Sequence, residues 1–190
     1  EFGVLLSLSK MGKENRYPTL EVIKKITDNI PKKNLSIHMC GKVAREIVLG
    51  KISTEVYDTI INKFTRMQIN GRNHVCSTSD MSVIITLLNI EEIIFQYPSN
   101  APWGTLSNAR ALIDYSGGTG QTLDKWPEPP LLTTKCGYAG GLTPENFKEK
   151  IKELHEVLPD KYNTWVDMES GVRTVDNFDL YKVRIILKEL

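Results

Sequence analysis

Three glycine-containing segments, each directly after an apolar run, are the part of the sequence best suited to chemistry. They occupy residues 116–120, 140–141 and 169–171. Glycines allow positive φ angles, so neighbouring backbone amides in such a segment can point at one anion. One segment alone would be typical of a flexible turn, but three in succession favour a shared phosphate site.

Two carboxylates stand at the ends of the apolar runs beside these segments. Asp114 comes just before the first glycine segment, and Asp167 comes just before the third. A charged side chain at the carboxyl end of a parallel strand is typical of a functional site. Each carboxylate could instead cap a helix or pair with a lysine, and this alternative weighs more for Asp167.

Cysteine and histidine occur twice at a spacing of two residues. His38 and Cys40 would share one face of a strand, and His74 and Cys76 repeat the spacing. Four such ligands could hold zinc, but the spacing is not that of structural zinc sites, so we expect no metal and no cofactor. Cys40 could serve as a base, although a small buried residue at a strand end is the alternative.

The elements that must position these residues follow from apolar periodicity. Short apolar runs predict seven strands, at residues 2–8, 35–39, 66–69, 92–97, 109–114, 131–139 and 164–168. Helical spacing between them predicts helices at residues 20–30, 43–49, 54–64, 81–88, 144–158 and 176–187. The first strand, which is apolar throughout, is predicted to be buried on both faces.

Alternating strands and helices predict βαβ units and a parallel sheet, hence the α/β class. An open doubly wound sheet and a closed barrel both fit this pattern. Seven strands plus one that precedes residue 1 would make a (β/α)₈ TIM-type barrel, so we expect the first strand to be missing from this chain. With no linker and no break in composition, residues 1–190 are predicted to form a single domain.

Composition narrows the possible partners. The chain has 24 basic and 23 acidic residues, a balance that argues against binding to nucleic acid. No apolar run approaches the roughly 18 residues needed to span a membrane. Three widely spaced cysteines predict a reducing compartment, so we expect a cytoplasmic protein whose ligand is a small phosphorylated molecule.

Three motifs together resemble the phosphoribosylanthranilate isomerase family. They are Asp114 with the glycines of residues 116–120, the segment 139–146 (AGGLTPEN), and the segment 166–172 (VDMESGV). The loop at residues 15–17 and the strand at residues 67–71 are similar to earlier parts of the same family. The resemblance is specific from about residue 109 to residue 172.

The resemblance implies a (β/α)₈ barrel isomerase of tryptophan biosynthesis that performs an Amadori rearrangement on a phosphoribosyl amine. A general acid helps to open the ribose ring, and a general base removes a proton from the second sugar carbon. By position, Asp114 would be the acid and Arg16 would hold the anthranilate carboxylate. Gln68 and Asp167 would line the substrate site. The phosphate would be held by Gly117, Gly118, Gly120, Gly141, Ser170 and Gly171.

Two departures from the family pattern leave other functions open. The family's base is a cysteine in a Lys-x-Cys-Gly setting on the first strand, and the family's histidine after Gln68 is replaced by Asn70. The base would therefore lie on the strand before residue 1, or be Cys40. The alternatives are a phosphate-binding barrel that has lost the base, and a metal-dependent enzyme that uses the His and Cys pairs.

Overall fold

The computed structural model describes residues 1–71, 78–97, 107–114, 121, 123–130 and 135–190, and for residues 78–81 it describes the backbone only. The chain divides into two compact units, Glu1–Arg110 (unit 1) and Ala111–Leu190 (unit 2). Both units contain parallel strands followed by helices, which confirms the predicted α/β class. No helix in these described ranges is long and apolar enough to cross a membrane.

Unit 1 contains four parallel strands that pair in chain order. They are β1 (Phe2–Leu6), β2 (Leu35–Met39), β3 (Arg66–Ile69) and β4 (Glu92–Tyr97). Its helices are α1 (Leu20–Asn29), α2 (Lys42–Val48), α3 (Thr54–Thr59) and α4 (Thr78–Leu88). The predicted strands at residues 35–39, 66–69 and 92–97 are therefore confirmed.

The core of unit 1 lies between one face of the sheet and the helices. Alternate strand residues reach this core, among them Leu6, Ile37 and Ile69, which are fully buried. The first strand differs from the prediction, because Phe2 and Gly3 are exposed and only Val4 and Leu6 are buried. The burial of β1 is thus concentrated on the face that meets the helices.

Apart from Leu5 and Ile94, the alternate positions of these strands and the residues just after them carry polar side chains, which we call the polar face. It consists of Ser7, Ser36, His38, Cys40, Arg66, Gln68, Asn70, Glu92 and Gln96. Met39 is aligned with Ile69, and Ile69 with Phe95. Because the strands are parallel, the next residues, Cys40 and Asn70, come together at the carboxyl end of the sheet.

Three further contacts order the polar face below this end. Arg66, at the start of β3, pairs with Glu1 and with Glu92, whose Oε1 lies 3.4 Å from the Arg66 Nε. Gly3 leaves room for His38, because a Cβ at Gly3 would lie 2.6 Å from atoms of the imidazole ring.

Unit 2 continues the pattern with β5 (Ala109–Ile113, whose first two residues belong to unit 1), β6 (Lys135–Ala139) and β7 (Asn163–Asp167). These strands also pair in parallel and in chain order. The helices of unit 2 are α5 (Phe147–Val157) and α6 (Leu180–Leu187). A 3₁₀ helix at Ser170–Val172 follows β7.

The segment before α6 is not helical, so the predicted helix at residues 176–187 begins too early. Strands β8 (Arg173–Thr174) and β9 (Asn177–Phe178) form a small antiparallel hairpin there. Helix α6 starts only after Asp179, whose carboxylate accepts hydrogen bonds from the amides of Tyr181 and Lys182.

Three other helix boundaries differ from the predictions by more than one residue. Helix α5 begins at Phe147 instead of Pro144, because residues 144–146 form a turn. Helix α3 ends at Thr59, and Ile61–Lys63 forms a separate 3₁₀ helix. Helix α4 begins at Thr78, three residues before the predicted start.

Aromatic packing stabilises unit 2. The Trp126 indole donates a hydrogen bond to the Lys150 carbonyl in α5 and meets the Tyr138 ring edge-on, with ring centroids 5.6 Å apart. The Tyr138 hydroxyl donates to the Pro127 carbonyl. Cys136 is fully buried beside these rings, and burial raises the pKa of its thiol. Residues 123–130 are therefore fixed to both β6 and α5.

Candidate functional site

In unit 2, the strand ends carry the residues that the glycine pattern singled out. Asp114 directly follows β5 and is 6% exposed. Gly117, Gly118 and Gly120, predicted to bind phosphate after Asp114, lie outside the described residues. Asp167 is the last residue of β7 and is half-buried, aligned with Ala139 of β6.

The loop after β6 adopts the backbone conformation that its glycines allow. Gly140 and Gly141 both have positive φ angles, of 130° and 61°. The Asn146 side chain fixes this loop, since its Nδ2 donates to the Gly141 carbonyl at 2.9 Å and its Oδ1 accepts from the Thr143 amide at 2.8 Å. A hydrogen bond from Thr143 lowers the pKa of Glu145.

The loop after β7 packs directly on this segment. A Cβ at Gly171 would overlap the Leu142 carbonyl, so the backbone of Gly171 touches the backbone of Leu142. Ser170 and Gly171 belong to the 3₁₀ helix that follows β7. The structure thus brings Gly141 and Gly171, two of the predicted phosphate residues, onto adjacent loops of one unit.

In unit 1, the carboxyl end of the sheet carries a connected set of polar side chains. Asn70 Nδ2 donates to the Cys40 sulfur at 3.3 Å, and Gln68 Nε2 donates to Asn70 Oδ1 at 2.9 Å. The Cys40 thiol also lies 3.7 Å from the His38 carbonyl, to which it donates. Gln68 and Cys40, both predicted site residues, are therefore linked through Asn70.

Tyr17 joins the same set from the loop after β1. Burial raises the pKa of Tyr17 to about 12, the adjacent Cys40 adds to the shift, and Arg16 opposes it. The Tyr17 hydroxyl is hydrogen-bonded to Cys40, and the Arg16 guanidinium carbon lies 5.9 Å from the Tyr17 ring centroid. Arg16, Tyr17 and Cys40 thus form one cluster of a cation, a phenol and a thiol.

Three residues with evident positions in these sets were not singled out from the sequence. They are Tyr17, Asn146 and Gln96, whose Oε1 accepts from the Gly71 amide at 2.8 Å. The sequence did offer a signal for Gln96. It lies on the polar face of β4, next to the strand that carries Gln68 and leads to Asn70. Asn146 lies within the AGGLTPEN motif but nothing in its spacing indicates which atoms it binds.

The metal alternative uses two pairs of His and Cys residues, of which His38 and Cys40 are described. His74 and Cys76 lie outside the described residues. Within the described part of the chain, no group of three or more His, Cys, Asp or Glu side chains could hold a metal ion.

Comparisons with known proteins match parts of this chain to one family. A family profile for N-(5'-phosphoribosyl)anthranilate (PRA) isomerase matches residues 82–189, more than half of the chain. The N-(5'-phosphoribosyl)anthranilate isomerase of Listeria innocua is 37% identical over 89 residues, which are 43% of this chain and 40% of the relative. The isomerase of Trichormus variabilis is 40% identical over 77 residues, which are 39% of this chain and 33% of the relative. The matched part of the chain thus spans two fifths or less of the length of these relatives.

A solved structure extends the similarity over the remaining residues. The N-(5'-phosphoribosyl)anthranilate isomerase of Pyrococcus furiosus matches with a TM-score of 0.57 at 15% sequence identity, covering 98% of this chain and 86% of that chain. At this identity the similarity concerns the fold. The family profile, which matches more than half of the chain, shows that this chain belongs to the N-(5'-phosphoribosyl)anthranilate isomerase family.

Proposed function

We propose that the protein containing this chain binds N-(5'-phosphoribosyl)anthranilate and catalyses its Amadori-type isomerisation from aldose to ketose derivative. The observation that carries the proposal is the contact between the loops after β6 and β7, where Gly171 lies against Leu142. Phosphate sites of (β/α)₈ barrels are built from loops after the last strands. We also propose that residues 1–190 belong to a single domain with the predicted (β/α)₈ barrel fold.

The phosphate would be held by backbone amides of three loops. Gly141, Ser170 and Gly171 are the described contributors, and Gly117, Gly118 and Gly120 would complete the site. Backbone amides fixed around an anion need no net positive charge on the protein, which agrees with a chain whose formal net charge is +1.

Asp114 would supply the proton that opens the sugar ring. As the bond between the first sugar carbon and the ring oxygen breaks, the carboxyl group protonates the oxygen, and the substrate nitrogen stabilises the carbon as an iminium. A base then removes the proton from the second sugar carbon, and the resulting enolamine tautomerises to the amino-ketone. Asp114 is buried at a strand end, a position suited to an acid screened from water.

Cys40 is the candidate for this base. Its sulfur is half-buried at the end of β2 and receives a hydrogen bond from Asn70, so a thiolate there would have a donor already in place. Arg16 would bind the anthranilate carboxylate, because a guanidinium pairs well with a carboxylate. Gln68 and Asp167 would line the remainder of the substrate site.

The test is turnover of N-(5'-phosphoribosyl)anthranilate by the full protein, followed by the loss of anthranilate fluorescence. Asp114→Asn should lower kcat by about 100-fold or more, and Cys40→Ser should do so if Cys40 is the base. Cys136→Ala is the matched control, because this buried cysteine lies in the core of unit 2 and should leave kcat unchanged.

The other outcomes separate the alternatives. Full activity in Cys40→Ser with none in Asp114→Asn would exclude Cys40 and place the base elsewhere in the protein. No turnover in the unmutated protein, with retained binding of a sugar phosphate, would favour a phosphate-binding barrel without the isomerase reaction. Turnover that requires an added metal ion would favour the metal-dependent alternative.

A further inference from the structure

We infer that Asn146 is a positioning residue that holds the loop after β6 in the conformation required for phosphate binding. This inference rests on the proposed function, because it assigns a role within the proposed phosphate site. Asn146 itself need not touch the ligand. Its effect is exerted through the backbone of residues 141–143, to which its side chain is bonded.

The first step of the argument is the geometry of the Asn146 amide. Its nitrogen donates to the carbonyl of Gly141, and its oxygen accepts from the amide of Thr143. One side chain therefore bonds both sides of Leu142. Gly141 has a φ angle of 61°, a conformation that costs glycine little but is readily exchanged for others, so a side-chain restraint is needed to keep it.

The second step is that Asn146 also begins the helix. The Lys150 amide donates to the Asn146 carbonyl at 3.0 Å, as the first turn of α5 requires. The next residue, Phe147, is 1% exposed and packs with Val172 and Ile186. The backbone of Asn146 is thus anchored in a hydrophobic cluster, while its side chain points back to the loop.

The third step connects this loop to the one after β7. Val172, in the same hydrophobic cluster as Phe147, directly follows Gly171. Gly171 in turn lies against the Leu142 carbonyl, between the two backbone groups that Asn146 binds. Both loops are therefore fixed to one another at Leu142 and to the same apolar cluster, and Asn146 holds the loop after β6 through its two hydrogen bonds.

The experiment is a calorimetric titration of the full protein with inorganic phosphate at constant ionic strength. Asn146→Ala removes both hydrogen bonds and should raise the Kd roughly tenfold, the effect of losing one to two net hydrogen bonds. Asn146→Asp is nearly the same size, keeps the acceptor for Thr143 and loses the donor to Gly141, so it should also weaken binding. The urea midpoint of Asn146→Ala should fall only slightly, because the apolar cluster around Phe147 stays intact.

The matched control is Asn29→Ala. The Asn29 side chain also donates to a backbone carbonyl, that of Lys25, but at the exposed end of α1 in unit 1. Its phosphate Kd should equal that of the unmutated protein. Amide hydrogen exchange supplies a second readout, since Asn146→Ala should accelerate exchange at Thr143 while the amides of β6 keep their protection.

The outcomes distinguish this inference from the proposed function. Phosphate binding by the unmutated protein that is unchanged in both Asn146 variants would overturn the role of Asn146 and leave the proposed function standing. No phosphate binding by the unmutated protein would overturn the phosphate site and the positioning role with it. In the full enzyme, Asn146→Ala should also raise KM for the phosphorylated substrate more than it lowers kcat.

Discussion

Tyr17 is buried beside Cys40 and Arg16, and burial determines when its hydroxyl ionises. Its pKa is raised from 10.0 to about 12, chiefly by burial. The folded state therefore favours the neutral phenol. Stability from this preference is fully present below pH 10 and is lost as the pH rises through 12.

Tyr17→Phe should accordingly flatten the alkaline loss of stability. We expect the free energy of unfolding to fall less steeply between pH 10 and 12 in the variant than in the unmutated protein, as measured by urea unfolding at several pH values. Some slope should remain, because burial also raises the pKa of Tyr138. Identical slopes in both proteins would contradict the assignment.

At this scale, the sequence predicted candidate residues better than their connections. Cys40 could be identified because it stands at the end of a strand, two residues after His38, whereas Gln68 was identified through the family resemblance. The link between them through Asn70 was not predicted, since Asn70 was noted only as a departure from the family. Asn146 was missed because its bonds go to backbone atoms, and no pattern of residue types encodes the path of a loop.

At the scale of elements, the β8–β9 hairpin carries local strain. Its two turn residues, Val175 and Asp176, have positive φ angles of 48° and 61°. Two positive φ angles are typical of type I′ turns, in which Asn and Gly are preferred. A β-branched residue is poorly suited to this region. Val175 is 89% exposed, so packing does not explain its presence.

Val175→Asn should therefore stabilise the protein by about 1 kcal/mol, because asparagine tolerates the left-handed region better than valine. Chemical denaturation at neutral pH measures the change. Val83→Asn is the control, since Val83 is an exposed valine within helix α4 and its replacement should bring no gain. A loss of stability in Val175→Asn would show that the valine makes a contribution the turn geometry does not reveal.

The same hairpin explains why the last helix begins four residues later than predicted. Apolar residues within residues 176–187 recur at helical spacing, and this periodicity predicted a helix from Asp176. The true start is set by Asp179, which caps α6 and accepts a hydrogen bond from the Thr174 hydroxyl of the hairpin. Capping chemistry, which periodicity does not measure, therefore determined where the helix begins.

At the scale of the whole molecule, phosphate binding should be visible as stabilisation. A ligand that binds only the folded state at 100 times its Kd adds about 2.7 kcal/mol to the unfolding free energy. For a chain of this size that corresponds to roughly 5–10 °C in Tm. We expect ribose 5-phosphate to produce such a shift in a thermal melt. Ribose with sodium chloride at matched ionic strength should not, and an equal shift with ribose alone would argue against a phosphate site.

The α/β class and the seven parallel strands could be predicted for this chain because buried parallel strands produce apolar runs with few interruptions. β2, β3 and β4 were predicted with their observed bounds, since each is flanked by polar loop residues. Helix ends were predicted less well, as in α4 and α5, because a few hydrogen bonds to side chains or turns decide them. The family resemblance from residue 109 onward supplied chemical roles that the apolar pattern could not.

Chemical labelling of Cys136 can report local opening of unit 2. Its thiol is fully buried and burial raises its pKa, so the folded state presents neither access nor a reactive thiolate to a labelling reagent. Labelling at Cys136 must therefore proceed through molecules in which β6 has opened to solvent. When opening is fast and reversible, the ratio of its labelling rate to that of an unfolded peptide equals the opening equilibrium constant. The chain thus allows the opening free energy around β6 to be read chemically, without introducing a probe.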